Sequence, residues 1–380
     1  MRLLSLRSRC APASILGLCI FLIFGCSGSA GAAEDVLKGV SGGIGFENGG
    51  SASLGPHKRT GQLLFDDKMG LGEKIDLNAE IDSDFNEVYG FSLDYKQPLS
   101  DKIDFKFGTI TGNLSHPSGL TSTGMSEKSV DFGLAAALAY THIVSDTLAT
   151  QFELGFRTTD ARTRQTPAVA GAGSTYHQNF RDVAAAAAVE LDPTKDTKLF
   201  SKITFSQGVG LLKPAHFRGG ADDTPLVVSL NGELTHNLSS TWQIVLSGDA
   251  QWTPDRLNDL KTFSLGGWDY AAAYGAGESK GDIGGGGRAE LNFVGEAKLA
   301  DKLTLVYKPF VFVDGGFTKI LKPDSTETGR TIGKASAGLG LAVETTHLHG
   351  SVQVAYPLTG RSSLNNKRRP RLLFSLGLKG

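Results

Sequence analysis

The feature that most constrains this chain is a strict alternation of apolar and polar residues that recurs along most of its length. In residues 75–82, aliphatic side chains alternate one for one with Asp, Asn and Glu, and residues 242–252 repeat the pattern between Trp242 and Trp252. Because successive side chains of a strand point to opposite faces, such a segment places one face against an apolar phase and the other against a polar one. Helical spacing is almost absent. The pattern predicts an all-β chain of about sixteen strands.

The connections between these strands alternate in length. Compact turns rich in Pro, Gly, Asp and Ser fall at residues 67–73, 96–101, 141–146, 192–196, 237–240, 299–301 and 344–346. Long connections lie between them, at residues 48–59, 111–126, 157–179, 207–224, 254–285, 314–331 and 357–369, and only the connection near Ser83 and Asp84 is short on that side. This asymmetry is typical of bacterial outer-membrane barrels. It predicts a transmembrane antiparallel β-barrel with its long loops outside the cell.

A closed barrel is expected because strands that cross hydrocarbon must satisfy every backbone N–H and C=O, so the sheet has no free edge. Many of the apolar runs span about 9 to 11 residues, the length of a tilted membrane-crossing strand. Trp242 and Trp252 lie at opposite ends of one run, where interfacial aromatic girdles are expected. The alternative is a soluble secreted β-protein such as a propeller, but its repeat of about 40 residues is absent.

The first 33 residues have the layout of a secretory signal peptide. Arg2, Arg7 and Arg9 precede an apolar run from Ile15 to Phe24, and small residues follow as far as Ala33. Cleavage after Ala30-Gly31-Ala32 competes with a lipoprotein-type cleavage before Cys26, and Phe24 fits the second poorly. The predicted domains are therefore a signal peptide at 1–33 and an outer-membrane barrel at 34–380.

Composition excludes several classes of function. Cys10, Cys19 and Cys26 all lie in the expected signal peptide, so the mature chain would have no thiol for a disulfide, nucleophile or metal site. Loss of three arginines and no acidic residue takes the formal charge from -1 to about -4, which argues against nucleic-acid binding. No cofactor is expected.

Two late motifs carry a resemblance to a known family. Leu265-Gly266-Gly267, an aromatic Tyr274 and the pair Gly281-Asp282 match, in order, the sixth-loop motif of the haemolysin secretion/activation family, the transporters of two-partner secretion. Phe312-Val313-Asp314-Gly315-Gly316 resembles the Phe-x-Asp-x-Gly motif on a later strand of that family. Residues 69–74 match its Leu-Gly-Leu-Gly-Asp-Arg turn more loosely. The resemblance implies a barrel that exports a polypeptide client, with a loop folded back into the lumen beside Phe312, Asp314 and Gly316.

Three departures from the family pattern affect this expectation. Ala271, Ala272, Ala273 and Tyr274 stand where the family has Val-Arg-Gly-Tyr, so Asp314 lacks the arginine that pairs with it in relatives. Either Lys280 or Arg288 replaces that cation, or the loop sits higher and Asp314 faces water. Only residues 35–40 lie between the expected signal peptide and the first expected strand, so no periplasmic POTRA domain is expected. A separate periplasmic partner would have to supply one. The chain also ends without the usual terminal aromatic residue.

Other candidate sites have simpler interpretations. His347 and His349 have no nearby third metal ligand and are expected to be rim or lumen residues. His142, Ser145 and Asp146 share one turn, which suits a turn better than a hydrolase. The glycines at 284–287 suggest a flexible loop or close packing. The basic run 367–371 either contacts lipopolysaccharide or is a solvated turn.

The sequence therefore predicts an outer-membrane protein in contact with lipid and lipopolysaccharide, without catalytic residues or metal. Polypeptide export is the first functional hypothesis. A passive pore or structural barrel is the second, and an enzyme with its residues on the outer rim is the third.

Overall fold

A computed structural model describes residues 40–48, 58–82, 88–116, 125–167, 174–210, 220–300, 303–321, 331–360 and 368–379. The expected signal peptide, its three cysteines and Lys367 lie outside these residues. Nineteen strands and one 3₁₀ helix fall within them. No helix in the described ranges is long and apolar enough to cross a membrane.

The strands follow one another with few interruptions. Their bounds are β1 Val40–Glu47, β2 Lys58–Asp66, β3 Lys74–Asp82, β4 Val88–Ser100, β5 Ile103–His116, β6 Met125–Ser145, β7 Leu148–Pro167, β8 Ser174–Thr194, β9 Thr197–Gly208, β10 Leu226–Asn237, β11 Trp242–Trp252, β12 Phe263–Leu265, β13 Ser279–Gly281, β14 Ile283–Phe293, β15 Gly295–Ala300, β16 Leu303–Lys319, β17 Thr331–Glu344, β18 Leu348–Pro357 and β19 Arg371–Lys379. The 3₁₀ helix, Asp259–Lys261, lies between β11 and β12.

The sheet is antiparallel throughout and closes on itself. Each strand pairs with its sequence neighbours, except that β11 pairs with β14 across β12 and β13, which form a separate hairpin. β14 and β15 both pair with β16 and act as two halves of one strand, so the barrel has sixteen strands. β1 pairs with β19 from Gly43↔Lys379 to Glu47↔Ser375 and completes the ring. The predicted sixteen-stranded barrel is therefore confirmed.

The alternation in the sequence corresponds to the two faces of this barrel. On β16, Val311, Val313 and Phe317 are exposed on the outer face, whereas Phe312 and Asp314 are buried on the inner face. Trp242 and Trp252 are also exposed, at the two ends of β11. An exposed apolar exterior around a polar interior is the arrangement that lipid outside and water inside require.

The two rims differ in the sense that the connection lengths predict, but strands extend further than expected on both: the turns expected at 96–101, 141–146 and 192–196 are mostly strand. Residues 101–102, 146–147 and 195–196 are tight turns, and the 67–73 turn is held by the buried Glu73 carboxylate, which accepts from the main-chain N–H groups of Met69 and Leu71. On the other rim, much of the expected loops 111–126 and 157–179 is strand, because β6, β7 and β8 run for 20 or 21 residues. Strand pairing continues beyond the segments with apolar alternation, because backbone hydrogen bonds between strands do not require lipid around them.

Candidate functional site

The longest connection that the structure describes, residues 253–282 between β11 and β14, folds into the barrel. We call it the lumen loop. It contains the 3₁₀ helix and the β12–β13 hairpin, and Ala271, Ala272, Ala273 and Tyr274 form its tip. These four residues are at most 1 % exposed and pack against Phe310 and Phe312 of β16, Ala355 of β18 and Leu373 of β19, which all face inward.

Asp314 anchors the tip through the main chain of the loop. The Ala272 N–H donates to Asp314 Oδ2 at 3.0 Å, and the Ser336 hydroxyl donates to Asp314 Oδ1. Ser336 Oγ in turn accepts from the Ala273 N–H at 3.3 Å. Asp314 is 3 % exposed, so the alternative in which the loop sits higher and this carboxylate faces water is wrong.

The cation missing from the loop is supplied by the barrel wall. Arg288 lies directly opposite Asp314 in the β14–β16 register, and its guanidinium is 3.7 Å from the carboxylate. It also donates to Glu290 at 2.7 Å and to Gln353 at 3.0 Å, and it stacks 3.8 Å over the Phe312 ring. Of the two expected substitutes, Arg288 is therefore the one beside Asp314, while Lys280 has an exposed side chain on β13.

Tyr274 connects the tip to three further parts of the wall: β17, the segment after β18, and β19. Its hydroxyl lies 3.1 Å from Thr359 Oγ1, its carbonyl accepts from Arg371 of β19, and Lys334 of β17 lies 4.4 Å over its ring. Lys334 also pairs with Glu278 of the loop at 2.7 Å. The position of Arg371 revises the interpretation of 367–371 as one external basic run, because this guanidinium points inward to the loop.

Glycines allow the loop to lie close to the wall. Gly266 and Gly267 have φ values of 106° and 102°, a region that side chains disfavour. A Cβ on Gly286 would lie 2.5 Å from the Tyr270 ring, and one on Gly316 would overlap the Gly285 carbonyl oxygen of β14 and lie 2.9 Å from Leu265 of the loop. The expected flexible loop at 284–287 is instead part of β14, so close packing is the interpretation that the geometry supports.

The Gly-Asp pair closes the neck of the loop. Gly281 ends β13 and approaches Lys319, and Asp282 is fully buried. The Asp282 carboxylate accepts from the Leu257 N–H at 2.9 Å and from the Leu321 N–H at 2.6 Å. It thus joins the two ends of the lumen loop to the segment after β16.

A second buried carboxylate contacts the loop on another part of the wall. Asp182 of β8 accepts from Arg157 at 2.8 Å, from Ser206, and from Lys261 at the end of the 3₁₀ helix at 2.7 Å. Lys261 also lies 4.4 Å over the Phe180 ring. Burial lowers the pKa of Lys261 to about 8, and Arg157 adds to this shift. These residues carry no recognisable motif, so sequence alone gave no signal for them.

The remaining lumen face is charged rather than apolar. Glu153 of β7 pairs with Lys202 of β9 at 2.6 Å and with Lys106 of β5, and Lys96 pairs with Asp104 at 2.9 Å. Burial and a 3.0 Å hydrogen bond to Asp249 raise the pKa of the Tyr270 hydroxyl in the loop. A lumen with paired charges of both signs is suited to passage of hydrated polar chains.

The structure keeps the other candidate residues apart from this site. His347 lies in the β17–β18 turn, and His349 on β18 packs against Gly377. Within the described ranges no three His, Cys, Asp or Glu side chains form a cluster that could hold a metal. His142 and Ser145 are at the end of β6, with Asp146 in the following turn.

Comparisons with known proteins agree with this geometry. The family described as "Haemolysin secretion/activation protein ShlB/FhaC/HecB" matches residues 36–343. "Outer membrane transporter CdiB" of Escherichia coli is 24% identical over 351 residues, covering 84% of this chain and 54% of that protein. The chain thus spans about half the length of this curated relative.

Solved structures show the same fold. CdiB from Escherichia coli superposes with a TM-score of 0.74 at 18% identity, covering 90% of this chain and 63% of that one. CdiB from Acinetobacter baumannii gives 0.69 at 13% identity, covering 90% and 60%. BamA from Haemophilus ducreyi lacking POTRA domains 1–3 gives 0.60 at 15%, covering 90% and 70%. The chain is an outer-membrane β-barrel and belongs to the haemolysin secretion/activation protein family.

Proposed function

We propose that this chain exports a polypeptide across the outer membrane through its lumen, with the lumen loop as a movable plug. The observation that carries the proposal is the tip attachment, in which Asp314 and Ser336 hold main-chain N–H groups of Ala272 and Ala273. Because the tip offers mainly main-chain N–H groups to the wall, it can leave without breaking an ion pair at Asp314, and family membership supplies the transported class, a secreted polypeptide.

The motif residues have distinct roles in this proposal. Phe312 and Asp314 form the wall side of the attachment, and Gly316 leaves room for Leu265. Gly266 and Gly267 turn the loop toward the lumen, Tyr274 reaches the β17–β19 wall, and Gly281 with Asp282 fixes the neck. We further propose export by a signal peptide at 1–33, contact with membrane lipid and lipopolysaccharide, and a separate periplasmic partner. We propose no catalytic role.

Planar-bilayer conductance tests the plug. Replacing residues 266–278 with a short Gly-Ser turn keeps both strands of the β12–β13 hairpin and removes the tip. A plug predicts a larger conductance than that of the wild type, whereas a passive pore predicts little change. Heat-modifiable migration on SDS gels checks that the barrel has folded.

A cellular assay tests export itself. Deletion of the gene should leave a secreted polypeptide in the periplasm, and the wild-type gene should restore its release. If no secreted protein changes compartment, the export hypothesis is wrong and the structural barrel is favoured, whatever the conductance experiment shows.

A further inference from the structure

The lumen loop touches two distant parts of the wall. Its tip contacts strands β16 to β19, and Lys261 contacts Asp182 on β8. Counted around the ring, β8 and β19 are eight strands apart in a barrel of sixteen, which places them on opposite sides. The docked loop therefore crosses the lumen, and the contacts on its two sides both contribute to how firmly it stays.

The two contacts have opposite charge balance. At the Asp314 attachment, Arg288 is shared by Glu290 and Asp314, so two carboxylates face one cation, while Lys334 and Arg371 contact the loop separately at Glu278 and Tyr274. A main-chain N–H from the loop is a favourable addition to such a site. At Asp182, Arg157 and Lys261 share one carboxylate, so two cations face one anion. Arg157 donates to Asp182 through both Nε and Nη2, at 3.2 and 2.8 Å, and thus neutralises it without the loop.

Lys261 is consequently a surplus cation in a buried position. Its side chain is 12% exposed, and the charged groups that act on it in the described structure are Asp182 and Arg157. Desolvation of a buried charge can exceed the attraction gained from its partner, above all when that partner is already paired. The lowered pKa of Lys261 has the same cause and agrees with this balance.

We propose that Lys261 is a positioning residue that makes docking of the lumen loop reversible. It sets where the loop meets β8 through a directed bond to Asp182, yet it regains hydration when the loop leaves. Arg157 and Ser206 stay bonded to Asp182 when the loop leaves, so no buried carboxylate is left unpaired. An unpaired buried carboxylate would be strongly destabilising. This inference rests on the proposed plug function.

The sign of the effect distinguishes this device from an ordinary ion-pair lock. Lys261→Met removes the surplus charge and keeps an unbranched apolar stem, so the loop should dock more firmly. We expect the open fraction in planar bilayers to fall about fivefold at pH 7 relative to the wild type, the size expected when a poorly compensated buried charge is replaced by an apolar side chain. Lys280→Met is the matched control, since Lys280 is an exposed lysine on the same loop, and it should match the wild type.

Arg157 supplies the second variant. In Arg157→Met, Lys261 becomes the single cation on Asp182, so the open fraction should again fall. In the double variant, Lys261→Met with Arg157→Met, Asp182 has no cation. The open fraction should then rise, or the folded yield should fall. This reversal is the signature of two cations that compete for one carboxylate. Lys261→Arg retains the surplus charge and should restore wild-type behaviour.

The readouts separate this inference from the plug proposal. If removal of 266–278 leaves the conductance unchanged, the plug proposal fails. If that deletion opens the barrel while Lys261→Met raises the open fraction, Lys261 is an ordinary lock and the inference is wrong. An unchanged open fraction in Lys261→Met, with folding confirmed on SDS gels, overturns it as well.

Discussion

Asp314→Ala isolates the contact that attaches the loop tip. In the docked loop, the Ala272 N–H is fully buried and has the Asp314 carboxylate as its acceptor at 3.0 Å. A hydrogen bond to a charged group contributes about 1.5–3 kcal/mol, and a buried donor without an acceptor costs about 1–3 kcal/mol. Part of this is offset because a buried carboxylate is removed. We therefore expect docking to weaken by about 2–3 kcal/mol, or roughly 30- to 150-fold in the open-to-docked ratio.

Asp314→Asn should have a smaller effect than Asp314→Ala, because the amide keeps one acceptor oxygen and loses only the charge. It should weaken docking by about 1 kcal/mol, roughly fivefold. Asp104→Asn is the matched control, since Asp104 pairs with Lys96 on β4 and, among the described residues, has no hydrogen bond or ion pair to the loop. The assay is the single-channel open fraction at neutral pH, after folding is confirmed on SDS gels. An Asp314→Ala barrel that folds and stays within twofold of the wild type would refute the attachment.

Three further predictions concern the loop and its wall. Gly286→Ala should raise the open fraction, because its Cβ would lie 2.5 Å from the Tyr270 ring of the loop. Gly287→Ala is the control and should not, because the nearest atom to its Cβ is a carbonyl oxygen at 3.5 Å. Equal conductance of the two variants would contradict close packing. Ala272→Arg should expel the tip because the site is full and already holds Arg288, and adding Arg288→Met should partly reverse this; bilayer recordings of both variants decide it. Because the pKa of Lys261 is about 8 when docked and about 10.4 in water, docking should strengthen as pH rises from 7.5 to 10, and recordings of Lys261→Met should lack that trend.

The barrel could be predicted because its sequence signals are local. A period of two residues identifies each strand and assigns its faces, so Phe312 and Asp314 share the inner face by spacing alone. The period of two residues cannot be read where the strand consists of glycines or where it extends beyond the lipid. Residues 284–287 are all glycine and show no period, although they are part of β14. The halves of β6, β7 and β8 next to the rim with the long connections lack apolar alternation.

The partners of the buried carboxylates could not be predicted in the same way. A slip of two residues between β14 and β16 would keep every side chain on its face but would separate Arg288 from Asp314, so alternation cannot choose between these registers. The Lys261–Asp182 contact depends on the path of an irregular loop across the lumen. Neither contact has a local sequence pattern.

The position of the cations changes what the missing family arginine means. In the resemblance, the loop carries the arginine, so its departure would leave the wall carboxylate without that partner. Here Arg288, Lys334 and Arg371 all belong to the wall, and the loop tip offers main-chain N–H groups, a carbonyl and a tyrosine ring in return. Arg288, Glu290 and Asp314 therefore remain next to one another when the loop leaves, whereas Lys334 loses its loop partner Glu278. Absence of the arginine is thus consistent with a retained attachment in which less electrostatic energy opposes release at Asp314, because the tip carries no charge of its own and Arg288 stays on the wall beside that carboxylate.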